Sequence, residues 1–332
     1  MFQSFPNTAR DLFLAAILTC PLLSVSAQEL VPAGEAHVSY GYAGTRVPFW
    51  TGGYLVPIEN NGMIVPVIHS IDDAGVEAAP IMLSIPGASS MTIDGAARRP
   101  DGTWAVIGYA QDGDGKGSGF ITWISPDRQN VTTIRSYPYN PYEITITPDG
   151  TAWTQGMEVV SGNDWVGSHH GVIRRFDSAG KLMGEYIPRS SIREEINTLA
   201  MENAKLVSNK DRVGWYANRA HEYFELTYEG DKVSGPVIYP GIAPHGDDDV
   251  LVDGMAMMDN GDAYVSVYNY KPTTDRGIVY RLDRVKRSWT PVTMPAKSDG
   301  TPIFEYPNIL GGDGGRLALF GGDSVIFVKP GD

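Results

Sequence analysis

The sequence predicts an all-β chain: a six-bladed β-propeller of four-stranded antiparallel blades, its ring closed by an N-terminal strand. Three observations predict it. Glycine (38) and proline (23) are plentiful among 332 residues, aromatics make up 10%, and helix-periodic stretches are few, the profile of many strands joined by turns. A tight turn flanked by alternating apolar strands recurs about every 40 to 60 residues, a spacing that fits one propeller blade. A second alternating strand ending in an acidic turn follows most copies, giving each unit about four strands.

The chain opens on a targeting segment. Arg10 precedes an apolar run from Leu12 to Val25, and Val25-Ser26-Ala27 is a small-residue cleavage site. Residues 1–27 therefore read as a signal peptide cut after Ala27, followed by one propeller domain at 28–332, and the protein is expected in the periplasm or secreted. The apolar run is too short for a membrane span. Cys20, the only cysteine, lies inside it, so the mature chain carries no disulfide or thiol chemistry. Net charge is -13 with a pI near 4.9 and no basic stripe, which argues against nucleic acid as a partner.

The blades follow in order. The first has a turn at Asn60-Asn61-Gly62 and an acidic turn at Asp72. The second has Arg99-Pro100-Asp101-Gly102, then the strand Gly119 to Asp127. The third has Thr147-Pro148-Asp149-Gly150, then Gly171 to Asp177. A helix-like stretch from Ser190 to Asn203 connects to the fourth, with a degenerate turn at Asn209-Lys210-Asp211 and the strand His221 to Glu229. The fifth holds the clearest hairpin, Val252 to Asn269, around Asp259-Asn260-Gly261, then Gly277 to Asp283. The sixth has Gly312-Asp313-Gly314 and ends on Ser324 to Val328, short of an outer strand, which residues around His37 to Tyr42 are expected to supply.

The repeat also aligns the chemistry. Asp253 lies eight residues before Gly261, and Asp94 eight before Gly102. Tyr142, with Glu143 beside it, holds the same offset from Gly150. Innermost strands of a propeller run along its channel, so these positions ring one mouth. Oxygen-bearing side chains there suit a hard cation such as Ca2+, which takes six to eight oxygen ligands and acts as a Lewis acid on a carbonyl. An Asp before Gly at a strand start also simply caps a turn, the reading preferred for Asp94 taken alone. Asp112-Gly113-Asp114-Gly115-Lys116, His169-His170 and His245 to Asp249 read as solvated loops.

Val252-Asp253-Gly254-Met255, the turn at Gly261, the strand Tyr264-Val265 and then Gly277-Ile278-Val279-Tyr280-Arg281-Leu282-Asp283 together resemble the regucalcin/gluconolactonase-like family of six-bladed propellers. The resemblance runs from about Asn197 to Met294 and implies that Asp253 is a metal ligand and general base. It implies that Asn197, in Ile196-Asn197-Thr198-Leu199, is a second ligand of Ca2+ or another divalent cation. Where the family carries a first-blade Glu ligand, this sequence has Arg46 ahead of Pro48-Phe49-Trp50. Asp94 and Glu143 are further mouth candidates on the repeat alone. Two function classes follow. One is an exported metal-dependent hydrolase of lactonase type, acting on a lactone or sugar-derived small molecule. The other is a non-enzymatic propeller serving as a binding or scaffold protein, which Arg46 favours.

Overall fold

The computed structural model describes residues 28–37, 48–60, 65–158, 170–192, 205–218, 220–242, 250–269, 278–304, 307–320 and 324–331. Within them the chain is all strand and turn. Strand β1 (Leu30–His37) is followed by six short strands: β2 (Phe49–Thr51), β3 (Tyr54–Val56), β4 (Ile58–Glu59), β5 (Val67–Ile68), β6 (Ile71–Asp72) and β7 (Ile81–Met82). Next come β8 (Ala88–Arg98), β9 (Trp104–Asp112), β10 (Gly117–Ile124) and β11 (Val131–Arg135) as one four-stranded meander. A second meander is β12 (Tyr139–Ile146), β13 (Ala152–Glu158), β14 (Gly171–Phe176) and β15 (Leu182–Pro188). A third is β16 (Lys205–Ser208), β17 (Arg212–Ala217), β18 (Glu222–Glu229) and β19 (Lys232–Pro240). A fourth is β20 (Val250–Met257), β21 (Ala263–Asn269), β22 (Val279–Asp283) and β23 (Ser288–Pro291). The chain ends on β24 (Asn308–Asp313), β25 (Arg316–Phe320) and β26 (Ser324–Pro330), beside which β1 pairs as the outer strand.

The expectation of six four-stranded blades is overturned. The described strands form seven sheets, five of four strands and two of three. The difference lies in residues 49–82, where the sequence suggests one blade and the structure has β2-β3-β6 and β4-β5-β7. Pro57 stands between β3 and β4 and has no N–H to give to a ladder, so the strand divides there. Across the break the His69 amide still donates to the Pro57 carbonyl at 3.0 Å. Two smaller expectations also shift. The closing strand is Leu30–His37 rather than residues 37–42, of which 38–42 lie outside the described set. A 3-10 turn at Arg189–Ser191 begins the connection read as helix-like, and residues 193–204 of that connection are not among those described.

The repeat is written in the hydrogen bonds of the turns. Gly102, Gly150 and Gly261 have φ of 93°, 87° and 89°, a region open to glycine and strained for other residues. Each donates its amide three residues back, to Arg99, Thr147 and Met258, at 2.9 Å in every case. The acidic turns are self-capped: Asp72, Asp177 and Asp283 each accept two backbone N–H bonds from the residues that follow.

The core lies between adjacent sheets. Trp153 and Ile173 of one sheet pack with Trp215, Phe224 and Leu226 of the next, all buried. The Trp153 ring centre sits 5.4 Å from Tyr186 and 5.8 Å from Tyr228. Large aromatic rings fill the wedge between twisted sheets with few atoms to order, which helps hold neighbouring sheets together. The innermost strands β2, β8, β12, β16, β20 and β24 follow one another round the central channel, and β24 packs back against β2.

Candidate functional site at the channel mouth

Four of the innermost strands carry the same irregularity. In β8 the pairing jumps from Ile93 to Gly95, in β12 from Pro141 to Glu143, in β20 from Val252 to Gly254 and in β24 from Ile309 to Gly311. The residue left out of the ladder is Asp94, Tyr142, Asp253 or Leu310. A bulge bends its strand and re-aims the extra side chain. In β8, β12 and β20 the bulged residue lies eight before the turn glycine, so the offset marks a structural position that carries different chemistry in each sheet.

Side chains of the preceding sheet hold these bulges. Asn218, buried at the end of β17, donates from Nδ2 to the Val252 carbonyl at 2.9 Å and accepts from the Val252 amide at 2.8 Å. Asn60, after β4, makes the same pair with Ile93 at 3.0 and 2.9 Å. Ser266 of β21 accepts from the Ile309 amide at 2.9 Å. Each clamp grips the residue just before a bulge and fixes where the bulged side chain starts.

Asp253 is the most constrained of the four. The Ser266 hydroxyl donates to its Oδ1 at 2.6 Å while accepting from Ile309, so its one proton is committed to Asp253. Gly254 allows the close approach that follows. A Cβ there would lie 2.1 Å from the Ile309 carbonyl oxygen and 2.6 Å from Ser266 Oγ. The equivalent Gly95 has room, its nearest neighbours lying 3.4 Å away on Ile107 and Ile144. Gly254→Ala should cost about 1–3 kcal/mol through that backbone clash, whereas Gly95→Ala should be neutral or slightly stabilising. Urea unfolding midpoints of the two variants check the contrast.

Burial pushes the Asp253 carboxyl above the usual carboxylate range, and the Ser266 hydrogen bond and the Lys205 charge only partly offset it. Asp253 opens into a cavity of about 510 Å3 that Glu143 and Lys205 also line. The wall between β12 and β16 is closed by a 2.6 Å hydrogen bond joining the Thr145 and Ser208 hydroxyls. An apolar side is built from Phe49, Leu206, Met255 and Leu310.

The structure thus brings Asp253 and Glu143 to one cavity and leaves Asp94 off its lining. Asp94 instead lies where its charge helps raise the Tyr142 hydroxyl, which burial raises first. Asn197 and Arg46 fall outside the described residues, as do His169 and His245 to Asp249. In the Asp112 to Lys116 loop the Lys116 ammonium pairs with Asp114 at 3.0 Å, as suits a hairpin tip. Lys205, Ser266 and Asn218 were not legible as site residues. For Ser266 a signal existed: a hydroxyl inside the apolar run Ala263-Tyr264-Val265-Ser266-Val267, wholly buried, requires a partner.

A calcium ion takes six to eight oxygens. Among the described residues no three His, Cys, Asp or Glu side chains gather at one point, and the Lys205 charge acts on Asp253. The described donors by themselves therefore do not fit such an ion.

No protein-family profile matches the sequence, and no curated protein matches it either. Among solved structures, the chain is similar to a calcium-binding protein, regucalcin, from Agrobacterium tumefaciens str. C58. The identity is 13%, over 90% of this chain and 93% of that one, with a TM-score of 0.47. A luciferin-regenerating enzyme gives 12% identity, 92% and 95% coverage and a TM-score of 0.47. The PQQ-bound aldose sugar dehydrogenase of Streptomyces coelicolor gives 12%, 92% and 98%, with a TM-score of 0.45. Likeness at this level carries no argument about what this chain does. No helix among the described residues is long and apolar enough to cross a membrane.

Proposed function

We propose that this propeller is a hydrolase of lactone or sugar-derived ester substrates, working in the cavity at the channel mouth. The observation that carries the reading is Asp253: a bulged carboxylate, positioned by Asn218 and Ser266, desolvated, and facing a cavity of small-molecule size. A base is most effective when its pKa lies near the working pH, and burial moves Asp253 in that direction. Asp253 then takes a proton from the attacking water, and Ser266 holds the carboxylate in one orientation while it does so. No step here is routed through a metal ion; the divalent cation that the family resemblance implies requires donors beyond those described.

The test is proton release from a panel of γ- and δ-lactones at pH 7, with and without added calcium, by wild type and Asp253→Asn. Turnover that falls by about 10²–10⁴-fold in the variant supports the reading. Full turnover in Asp253→Asn, or none by wild type on any lactone, sinks it. Dependence on calcium would point to ligands among the residues not described.

A second reading, a propeller that binds a small molecule without turning it over, is favoured by one observation: Lys205 shares the cavity with Asp253 and its charge acts on that carboxyl. Export is proposed for either case, supported by the charged, apolar and small-residue order of residues 10–27. A mature chain whose mass begins at Gln28 is the expected result.

A further inference from the structure

Lys205 stands at the start of β16, and its side chain lines the cavity at the mouth. Its ammonium lies 5.9 Å from the centre of the Phe49 ring. Among the described residues no carboxylate comes within ion-pair distance of it, although its charge is felt at Asp253. Other charges line the cavity too: Arg99 pairs with Asp101 at 3.2 Å, and Lys210 and Asp259 also stand on the lining. Arg98 stacks 3.7 Å from the Tyr54 ring centre and donates to the Gly52 carbonyl at 3.1 Å. Asp313 is taken by Arg316 and by the Trp50 indole. A partly buried lysine with three donors and, among the described residues, no acidic partner at contact distance is set to receive an anion from outside.

We infer that Lys205 anchors the single negative charge of a small organic carboxylate, whose carbon skeleton lies against Phe49, Leu206, Met255 and Leu310. The inference rests on the cavity being the working site, as proposed above, but does not require turnover. One charge is argued from the surroundings. Asp101, Glu143, Asp253, Asp259 and Asp313 line the cavity beside Arg98, Arg99, Lys205 and Lys210, so a dianion meets more repulsion there than a monoanion does. Lysine is also a point charge without the planar fork with which arginine grips phosphate. The chemistry agrees with the hydrolase reading. When water adds to a lactone carbonyl and the ring C–O bond breaks, the ring oxygen takes up the proton that Asp253 removed from the water and becomes a hydroxyl. The acid formed at the old carbonyl then releases a proton and leaves a hydroxycarboxylate, a monoanion of the class Lys205 would hold.

The experiment is calorimetric titration of the whole mature chain with gluconate and with mandelate, each beside a neutral counterpart, glucose and 1-phenylethane-1,2-diol, and with inorganic phosphate. The expected result is one-to-one binding of at least one carboxylate, about tenfold or more tighter than its neutral counterpart or phosphate. Lys205→Met should weaken it by about tenfold or more, and Lys205→Arg should keep most of it. A thermal midpoint for Lys205→Met close to wild type shows that the fold is intact. Carboxylate binding that survives Lys205→Met overturns the inference, as does a preference for phosphate or no carboxylate binding by wild type. Lactone turnover, measured separately, keeps the two readings apart. Turnover without Lys205-dependent carboxylate binding leaves the hydrolase and removes this inference. Binding without turnover does the reverse.

Discussion

Asp253→Asn should cut turnover by about 10²–10⁴-fold while raising the thermal midpoint of the protein at pH 7. The two effects have one cause. Asn keeps the size of Asp and an Oδ1 that can accept from Ser266, so the hydrogen bond at 2.6 Å and the clamp on Ile309 have no reason to move. What leaves is a desolvated charge. Because the folded-state pKa of Asp253 is raised, the native chain holds this proton more readily than the unfolded chain does. Stability from this group is therefore lost as pH rises from the ordinary carboxylate range through the raised folded value. The variant's advantage is full above that window and fades below it. A gain of about 1 kcal/mol would appear as a rise of about 1–3 °C in a chain of this size. A variant that is inactive and less stable at pH 7 would show that the carboxylate is held by partners that favour its charge. Asp253 would then be a structural ion rather than a poised base. The result separates the roles because function that strains a site commonly trades against stability.

Glu225→Ala should produce the largest loss of stability of any single change considered. Glu225 is 3% exposed and sits in β18. It accepts from Arg212 at 2.9 Å, from Arg284 at 2.6 Å and from the Tyr223 hydroxyl at 3.2 Å. Arg212 belongs to its own sheet, and Arg284 follows β22 of the next, so the carboxylate ties two sheets together. Removing it leaves Arg284 without this counter-charge, Arg212 with only Asp211 at 3.7 Å, and a buried phenol without this acceptor. Losing one partner of a buried pair costs about 3–5 kcal/mol. The low end is expected here, because Arg212 and Arg284 keep side-chain exposures of 30% and 24% and regain some water. Guanidinium chloride unfolding should show a lower midpoint with an unchanged slope. A loss well under 1 kcal/mol would mean that the network sets geometry and adds little stability. Glu225→Gln, which keeps an acceptor, should fall between the two.

How much of this was legible depends on the range of the interactions. The turn glycines at 102, 150 and 261 and the acidic turns at 72, 177 and 283 are closed by partners within a few residues, so the sequence carries them in full. The equivalence of Asp94 and Asp253 follows from the same turns, because a fixed offset along a strand survives folding unless a residue is inserted. The sheet count failed where a local exception outweighed the pattern: Pro57 interrupts a strand that spacing alone would run through. The clamps were out of reach for the opposite reason. Asn218 meets Val252 across 34 positions, Asn60 meets Ile93 across 33, and Ser266 meets Ile309 across 43. Asn60 and Asn218 look like ordinary polar residues until the neighbouring sheet is in place, and the apolar run around Ser266 shows only that its hydroxyl needs a partner, not which one. Lys205 carried no sequence signal either, since a lysine at a strand start is commonly solvated and only the fold shows what faces it.

The pairing of β1 with β26 has a consequence for how the molecule is made. Leu30 meets Pro330 and His37 meets Ser324, so the first and last strands of the ring zip together. During synthesis β1 emerges before β26 and lacks that partner until β26 has been made. A ring of this kind therefore cannot lock while it is being made. It remains an unfinished, threadable polymer up to its final strand, and then closes in a single long-range step that a nascent fragment, however long, is unable to take.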